Sequence, residues 1–202
     1  MDETIANILK TASSNPDYQQ IANYLMSRRS YPEIAYMNKP SSNYGTFTSQ
    51  GMFGNANIPQ RGIVSINRNA STVDPNLVAP TLVHELTHAA ETQLYKQYNE
   101  IKGKSNKTDV ERQFIENFTK IMGAKATEQA SAINPEFTKN NTAYRTRGDE
   151  ALAFALANVN YPNSPSEQNA PSHIDPTIAT QLMLLLEQAQ RVQNQQPTSQ
   201  GR

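Results

Sequence analysis

Two histidines four residues apart, with a glutamate directly after the first, are the residues of this chain best suited to chemistry. His84 and His88 are two of only three histidines in the sequence. On a helix this spacing puts both imidazoles on one face, one turn apart, where they can bind the same metal ion. Glu85 lies about 100° further round the helix, where its carboxylate can meet a water on that metal. The alternative is a surface helix that happens to carry two spaced histidines.

Two histidines do not complete a catalytic zinc site, which usually takes three protein ligands and keeps one position for water. The sequence resembles the zincin metallopeptidases over about residues 62–158, where a strand precedes the His-Glu-x-x-His helix and a later helix presents an acidic ligand. In the gluzincin branch this ligand is a glutamate in the form Glu-x-x-Ala, and residues 150–153 read Glu-Ala-Leu-Ala. The resemblance therefore implies that His84, His88 and Glu150 bind Zn²⁺. Without a metal, Glu150 would be an acid favoured by the dipole at the start of a helix.

Other residues compete with Glu150 for the third position. Asp149 would give an aspartate-type zincin, although its shorter side chain and the alanine spacing favour Glu150. His173 is the remaining histidine, but it precedes a helix in a loop without a matching motif. Glu91 lies on the histidine side of the helix, about 10 Å beyond the first histidine, so we expect it beside the ligands rather than among them. The metzincin pattern is absent, since Glu91 replaces its glycine and Leu94 its third histidine.

The resemblance implies a peptidase in which a zinc-activated water attacks the scissile carbonyl while Glu85 serves as general base. The developing oxyanion then needs a donor besides the metal. Tyr144 and His173 are favoured for this by analogy with zincins, ahead of Arg145 and Arg147, and each is otherwise an ordinary surface residue.

We also expect a substrate groove beside the metal. The run Ile63–Ile66 is a candidate strand for binding an extended peptide by strand addition, its other role being half-buried sheet. The groove is expected between the histidine helix and the Gly62–Asn67 strand, bordered by the Tyr144–Arg147 loop.

A second interpretation is a catalytically silent zincin-fold component of a larger assembly, such as a virion. Abundant Asn and Gln and a polar tail are typical of such a component. Glu85 favours the enzyme, because a purely structural metal site needs no base beside its ligands. A small toxin or effector that acts on one host protein would differ in substrate, not in chemistry.

Composition excludes several classes of function. The 18 basic and 18 acidic residues balance, and no basic block stands out, so nucleic acid is not an expected partner. The absence of cysteine excludes disulfides, thiolate zinc ligands and a cysteine nucleophile. The longest apolar run, Leu182–Leu186, is too short to span a membrane, and no secretory signal is visible. We expect a cytoplasmic protein, or one inside a larger particle, that acts on polypeptides.

Hydrophobic periodicity predicts a mostly helical α+β fold with a small sheet beside the metal-binding helix. We expect an N-terminal helical segment at 1–30, a zincin-like domain at 31–192 and a flexible tail at 193–202. Assembly with other proteins would use the N-terminal helices or the tail. Pro80 is expected to delay or kink the entry of the histidine helix. Asn15 before Pro16 and the capping box Thr108-x-x-Glu111 are expected to begin their helices. Helical spacing predicts a buried stripe on the histidine helix (Val83, Leu86, Ala90 and Leu94) and inward residues on the second helix (Tyr18, Ile21, Leu25 and Met26). Helices are predicted over about residues 1–13, 15–29, 74–101, 108–122, 151–159 and 175–192, and strands over 34–37, 44–48 and 62–67.

Overall fold

The computed structural model describes residues 3–37, 45–49, 61–67, 75–122, 153 and 176–195. These residues form a mostly helical structure with one small sheet, as the hydrophobic pattern predicts. No helix in this part of the chain is long and apolar enough to cross a membrane. The helices are α1 (Glu3–Ser13), α2 (Pro16–Ser27), α3 (Pro75–Lys102), α4 (Asp109–Met122) and α5 (Pro176–Asn194), and the strands are β1 (Glu33–Tyr36), β2 (Gly45–Thr48) and β3 (Ile63–Ile66).

Two predicted helix starts are confirmed by their hydrogen bonds. The Asn15 side chain accepts a bond of 2.8 Å from the Asp17 amide, which caps α2 just before its first-turn proline. At the start of α4, Thr108 and Glu111 form a reciprocal capping box. The Thr108 amide donates to the Glu111 carboxylate at 2.9 Å, and the Glu111 amide donates to the Thr108 hydroxyl at 3.3 Å.

Helix α3 is the central element, and it contacts all four other helices as well as β2 and β3. Its apolar stripe, predicted from the spacing, is fully buried: Val83, Leu86, Ala90 and Leu94. The expectation that Pro80 delays this helix is wrong, because α3 begins at Pro75 and continues through Pro80. Pro80 lacks the N–H that would bond the carbonyl four residues earlier. Its burial, together with that of the neighbouring apolar residues, offsets this loss.

The sheet has the order β1-β3-β2, with β3 parallel to β1 and antiparallel to β2. Val64 and Ile66 of β3 are fully buried. The central place of β3 corrects the expectation that Ile63–Ile66 accepts an added peptide strand, because both of its edges already pair. Both β2 and β3 pack against α3, and β2 lies at an edge of this sheet. The expected groove stays a prediction, because the Tyr144–Arg147 loop that borders it lies outside the described residues.

The first two helices belong to the same hydrophobic core as α3. The predicted inward residues of α2, namely Tyr18, Ile21 and Leu25, are buried. The expectation for Met26 is wrong, since it is 55% exposed, and Tyr24 is fully buried instead. Tyr24 enters the core because its hydroxyl finds a buried partner there, which a sequence pattern does not reveal.

That partner is the side chain of Gln97, which links three helices. The Tyr24 hydroxyl of α2 donates to the Gln97 amide oxygen of α3 at 3.2 Å. The Gln97 amide nitrogen in turn donates to the Ala189 carbonyl of α5 at 2.8 Å. Buried polar groups are costly unless they are hydrogen-bonded, so this bridge fixes the relative positions of the three helices.

We predict that Gln97→Leu destabilises the protein by about 1–3 kcal/mol, because it leaves the buried Tyr24 hydroxyl without its acceptor. Chemical denaturation of both proteins measures the difference. Gln193→Leu is the matched control, because Gln193 bonds the Ser27 carbonyl at an exposed site and its loss is expected to cost less than about 0.5 kcal/mol. Equal losses of stability in the two variants would show that the buried Gln97 bridge contributes no more than an exposed hydrogen bond.

The capping box gives a pH-dependent prediction. The Lys104 ammonium donates to the Glu111 carboxylate and holds its pKa below the ordinary value of 4.5, against the opposing effect of burial. Because the pKa is lowered in the folded state, the stabilisation is complete above about pH 4.5 and is lost as the pH falls through the lowered value.

Glu111→Gln should therefore destabilise the protein at pH 7, and its free energy of unfolding should converge with that of wild type in more acidic solution. Glu116→Gln, at an exposed position of the same helix, controls for the removal of one negative charge. A stability difference that stays constant from pH 7 down to pH 3 would contradict this assignment.

Candidate metal centre

The histidine motif lies on the part of α3 that packs against the sheet. His84 and Glu85 are each only 8% exposed, and His88 is half-buried. A polar cluster on a helix that packs on every other described helix has a fixed backbone position, because moving it would disturb the core. The motif is thus a rigidly placed part of the interior and not a surface feature.

The two imidazoles face each other across one turn of α3. Their Nε2 atoms are 3.1 Å apart, and the rings meet edge to face with centroids separated by 4.8 Å. The prediction that both rings share one face of a helix is therefore confirmed. It is their Nε2 atoms, and not their Nδ1 atoms, that contact each other.

The separation of these nitrogens suits a shared zinc ion. Zn–N bonds are about 2.0–2.1 Å long, so two nitrogens on one tetrahedral zinc lie about 3.3–3.4 Å apart. The observed 3.1 Å requires the rings to open by only a few tenths of an ångström. The distance between the two Nε2 atoms is therefore compatible with both histidines binding one ion.

Glu91 lies behind His88, as the spacing predicts. Its Oε2 atom is 3.0 Å from His88 Nδ1, on the opposite side of the ring from the nitrogen that faces His84. Glu91 is 3% exposed. It therefore contacts the back of one candidate ligand and does not join the pair as a third.

Strand β2 begins directly against the turn of α3 that carries Glu85. A Cβ atom placed on Gly45 would lie 2.5 Å from Thr81 Cγ2 and 3.3 Å from Glu85 Cγ. Only glycine permits this approach, so Gly45 sets the distance between the edge strand and the proposed general base. The sequence pattern did not single it out, although a glycine within a predicted strand often marks such a close approach.

The remaining predicted site residues lie outside the described residues: Tyr144, Arg145, Arg147, Asp149, Glu150 and His173. Ala153, the fourth residue of the Glu-x-x-Ala pattern, is helical and fully buried. Within the described ranges no group of three or more His, Asp or Glu side chains is arranged to hold a metal ion. Metal binding, including its third ligand, therefore stays a prediction.

We predict that Gly45→Ala destabilises the protein by about 1–3 kcal/mol, because the added methyl group collides with Thr81 Cγ2. Thr81→Ser removes that methyl group and keeps the hydroxyl, so the double variant should recover part of the loss. Urea unfolding of the two single variants and the double variant measures this coupling.

Gly103→Ala is the control for replacing a glycine. The nearest atoms to its new Cβ would be carbonyl oxygens of α3 at 3.6 and 3.7 Å, which is ordinary contact. This change should be neutral, or stabilising by up to about 1 kcal/mol. A cost at Gly45 no larger than at Gly103, or one that Thr81→Ser leaves untouched, would contradict the close approach.

Comparison of the chain with protein-family models, with curated proteins and with solved structures finds no match. Any assignment of function therefore rests on the motif and its geometry.

Proposed function

We propose that this protein is a zinc-dependent metallopeptidase of gluzincin-like type that hydrolyses peptide bonds. The observation that carries the proposal is the pair of Nε2 atoms 3.1 Å apart, with the buried Glu85 on the same helix and against the edge strand. Two imidazole nitrogens lie within reach of one ion, and the residue next to His84 on the helix carries a carboxylate. Hydrolysis by an activated water requires this combination of groups.

In this proposal His84, His88 and Glu150 hold the metal. Bound zinc would supply the Lewis acidity that activates a water molecule at neutral pH. Glu85 accepts the proton of the attacking water and passes it to the nitrogen of the leaving amine. Tyr144 and His173 are the proposed donors to the developing oxyanion.

The position of β2 supports a polypeptide as the substrate. Within the described residues β2 pairs on one side only, with β3. An extended peptide can add to such an edge through main-chain hydrogen bonds, whatever its side chains are. Because Gly45 brings the start of β2 against Glu85, a peptide bound along this edge would pass the proposed base.

We predict that Glu85→Gln keeps the zinc and the fold but lowers peptide cleavage by about 10²–10⁴-fold, because an amide cannot accept the proton of water. Elemental analysis should find one zinc per chain in both proteins, and cleavage of a peptide library measures activity. His88→Ala is the comparison variant, and it should lose the metal together with the activity.

The other possible results of this experiment lead to different conclusions about Glu85 and the site. Unchanged cleavage in Glu85→Gln would contradict the hydrolytic mechanism. Loss of zinc in this variant would make Glu85 a ligand or a structural support instead of a base. A wild-type protein that holds zinc and cuts no peptide would favour the silent component of a larger assembly.

A further inference from the structure

We propose that Glu91 is a positioning residue, which holds the His88 ring so that its Nε2 lone pair faces His84 and the metal. This inference rests on the proposed function, since it concerns the same metal site. It adds a residue that the His-Glu-x-x-His motif does not contain. The argument depends on where the proton of the His88 ring lies.

Glu91 fixes that proton on one nitrogen. An ionised carboxylate only accepts hydrogen bonds, so the contact of 3.0 Å between Glu91 Oε2 and His88 Nδ1 requires a hydrogen on Nδ1. In a neutral imidazole the other nitrogen then carries the lone pair. His88 Nε2 is this other nitrogen, and it is the atom that lies 3.1 Å from His84 Nε2.

The geometry also fixes the orientation of the ring. Glu91 and His88 are three residues apart on α3, which makes them neighbours on the helix surface. The Glu91 side chain is 4% exposed, so water has little access to the contact. A single helix therefore carries both the ligand and the group that orients it, and the packing of α3 in the core holds both in place.

A buried carboxylate in this place is otherwise costly, because removing a charge from water is unfavourable unless hydrogen bonds compensate. Carboxylates that accept from the second nitrogen of a metal-bound histidine orient the ring and raise its basicity, and their loss commonly costs about 10–100-fold in metal affinity. We therefore expect Glu91 to contribute to zinc binding without touching the ion.

The first test measures zinc affinity by competition with a chromogenic chelator. Glu91→Ala removes the acceptor and should weaken zinc binding by about 10–100-fold. Glu91→Gln keeps an acceptor oxygen and should lose less, and its nearly unchanged shape protects against a failure to fold. Glu100→Gln, on the same helix but largely exposed, should bind zinc like wild type.

The second test observes the tautomer directly in the metal-free protein. Long-range proton–nitrogen NMR spectra should show the hydrogen of His88 on Nδ1 in wild type, and should show that this preference is lost in Glu91→Ala. The assignment is practical because the chain contains only three histidines. A role of Glu91 in folding alone would lower the stability of the variant but leave the zinc affinity of its folded form unchanged.

The outcomes separate this inference from the proposed function. If wild type binds zinc and folded Glu91→Ala binds it equally well, the positioning role is overturned and the peptidase proposal stands. If wild type binds no zinc, the proposed function fails, while the NMR spectra still decide the tautomer. A His88 hydrogen on Nε2 in wild type would overturn the positioning role.

Discussion

The burial of α3 is the constraint on which the rest of this structure depends. The helix touches four other helices and two strands, so its apolar stripe cannot turn without opening the core. The same constraint fixes the backbone that carries the buried polar side chains of the helix. The 3.1 Å separation of His84 and His88 follows from their spacing of one helical turn, and the packing of α3 holds that turn in place. Packing thus supplies the rigidity that a metal site requires of its ligands.

Two separate hydrogen-bonded systems of polar side chains lie along α3. Near the sheet, His84, His88 and Glu91 form a chain of contacts that runs through both nitrogens of one imidazole ring. Further along, Gln97 ties the helix to α2 and α5. The first system contains the groups suited to metal chemistry, whereas the second joins elements of the fold. One helix therefore serves both as the centre of the core and as the carrier of the site.

The parts of the structure that follow from local physics could be predicted from the sequence. The caps at Asn15 and Thr108 and the stripe of α3 depend on neighbouring residues, which a linear pattern records. The predictions that were wrong concern contacts between residues far apart in the sequence. Local signals mark Pro80 as a helix breaker, but they do not measure the burial that offsets its lost hydrogen bond. The pattern of β3 indicates a half-buried strand, but it cannot reveal that β1 and β2 pair with both of its edges.

The candidate site also has a part that the local sequence predicts and a part that it does not. The period of the α-helix alone brings four residues to neighbouring positions on two successive turns: His84, Glu85, His88 and Glu91. Gly45 lies far from them in sequence, and its contact with Glu85 depends on how β2 packs on α3. The position of Glu150 relative to the motif cannot be predicted for the same reason. It is separated from His88 by 61 residues, and the helical period does not extend across them.

A crystal structure of the zinc-loaded protein, with an anomalous difference map at the zinc edge, tests the central claim most directly. Our account predicts one peak about 2.0–2.1 Å from both His84 Nε2 and His88 Nε2. It further predicts the Glu150 carboxylate as the third ligand and a fourth position open to water. A zinc peak away from the two histidines would contradict the site itself. A fourth protein ligand that closes the coordination would contradict catalysis and leave a structural metal centre.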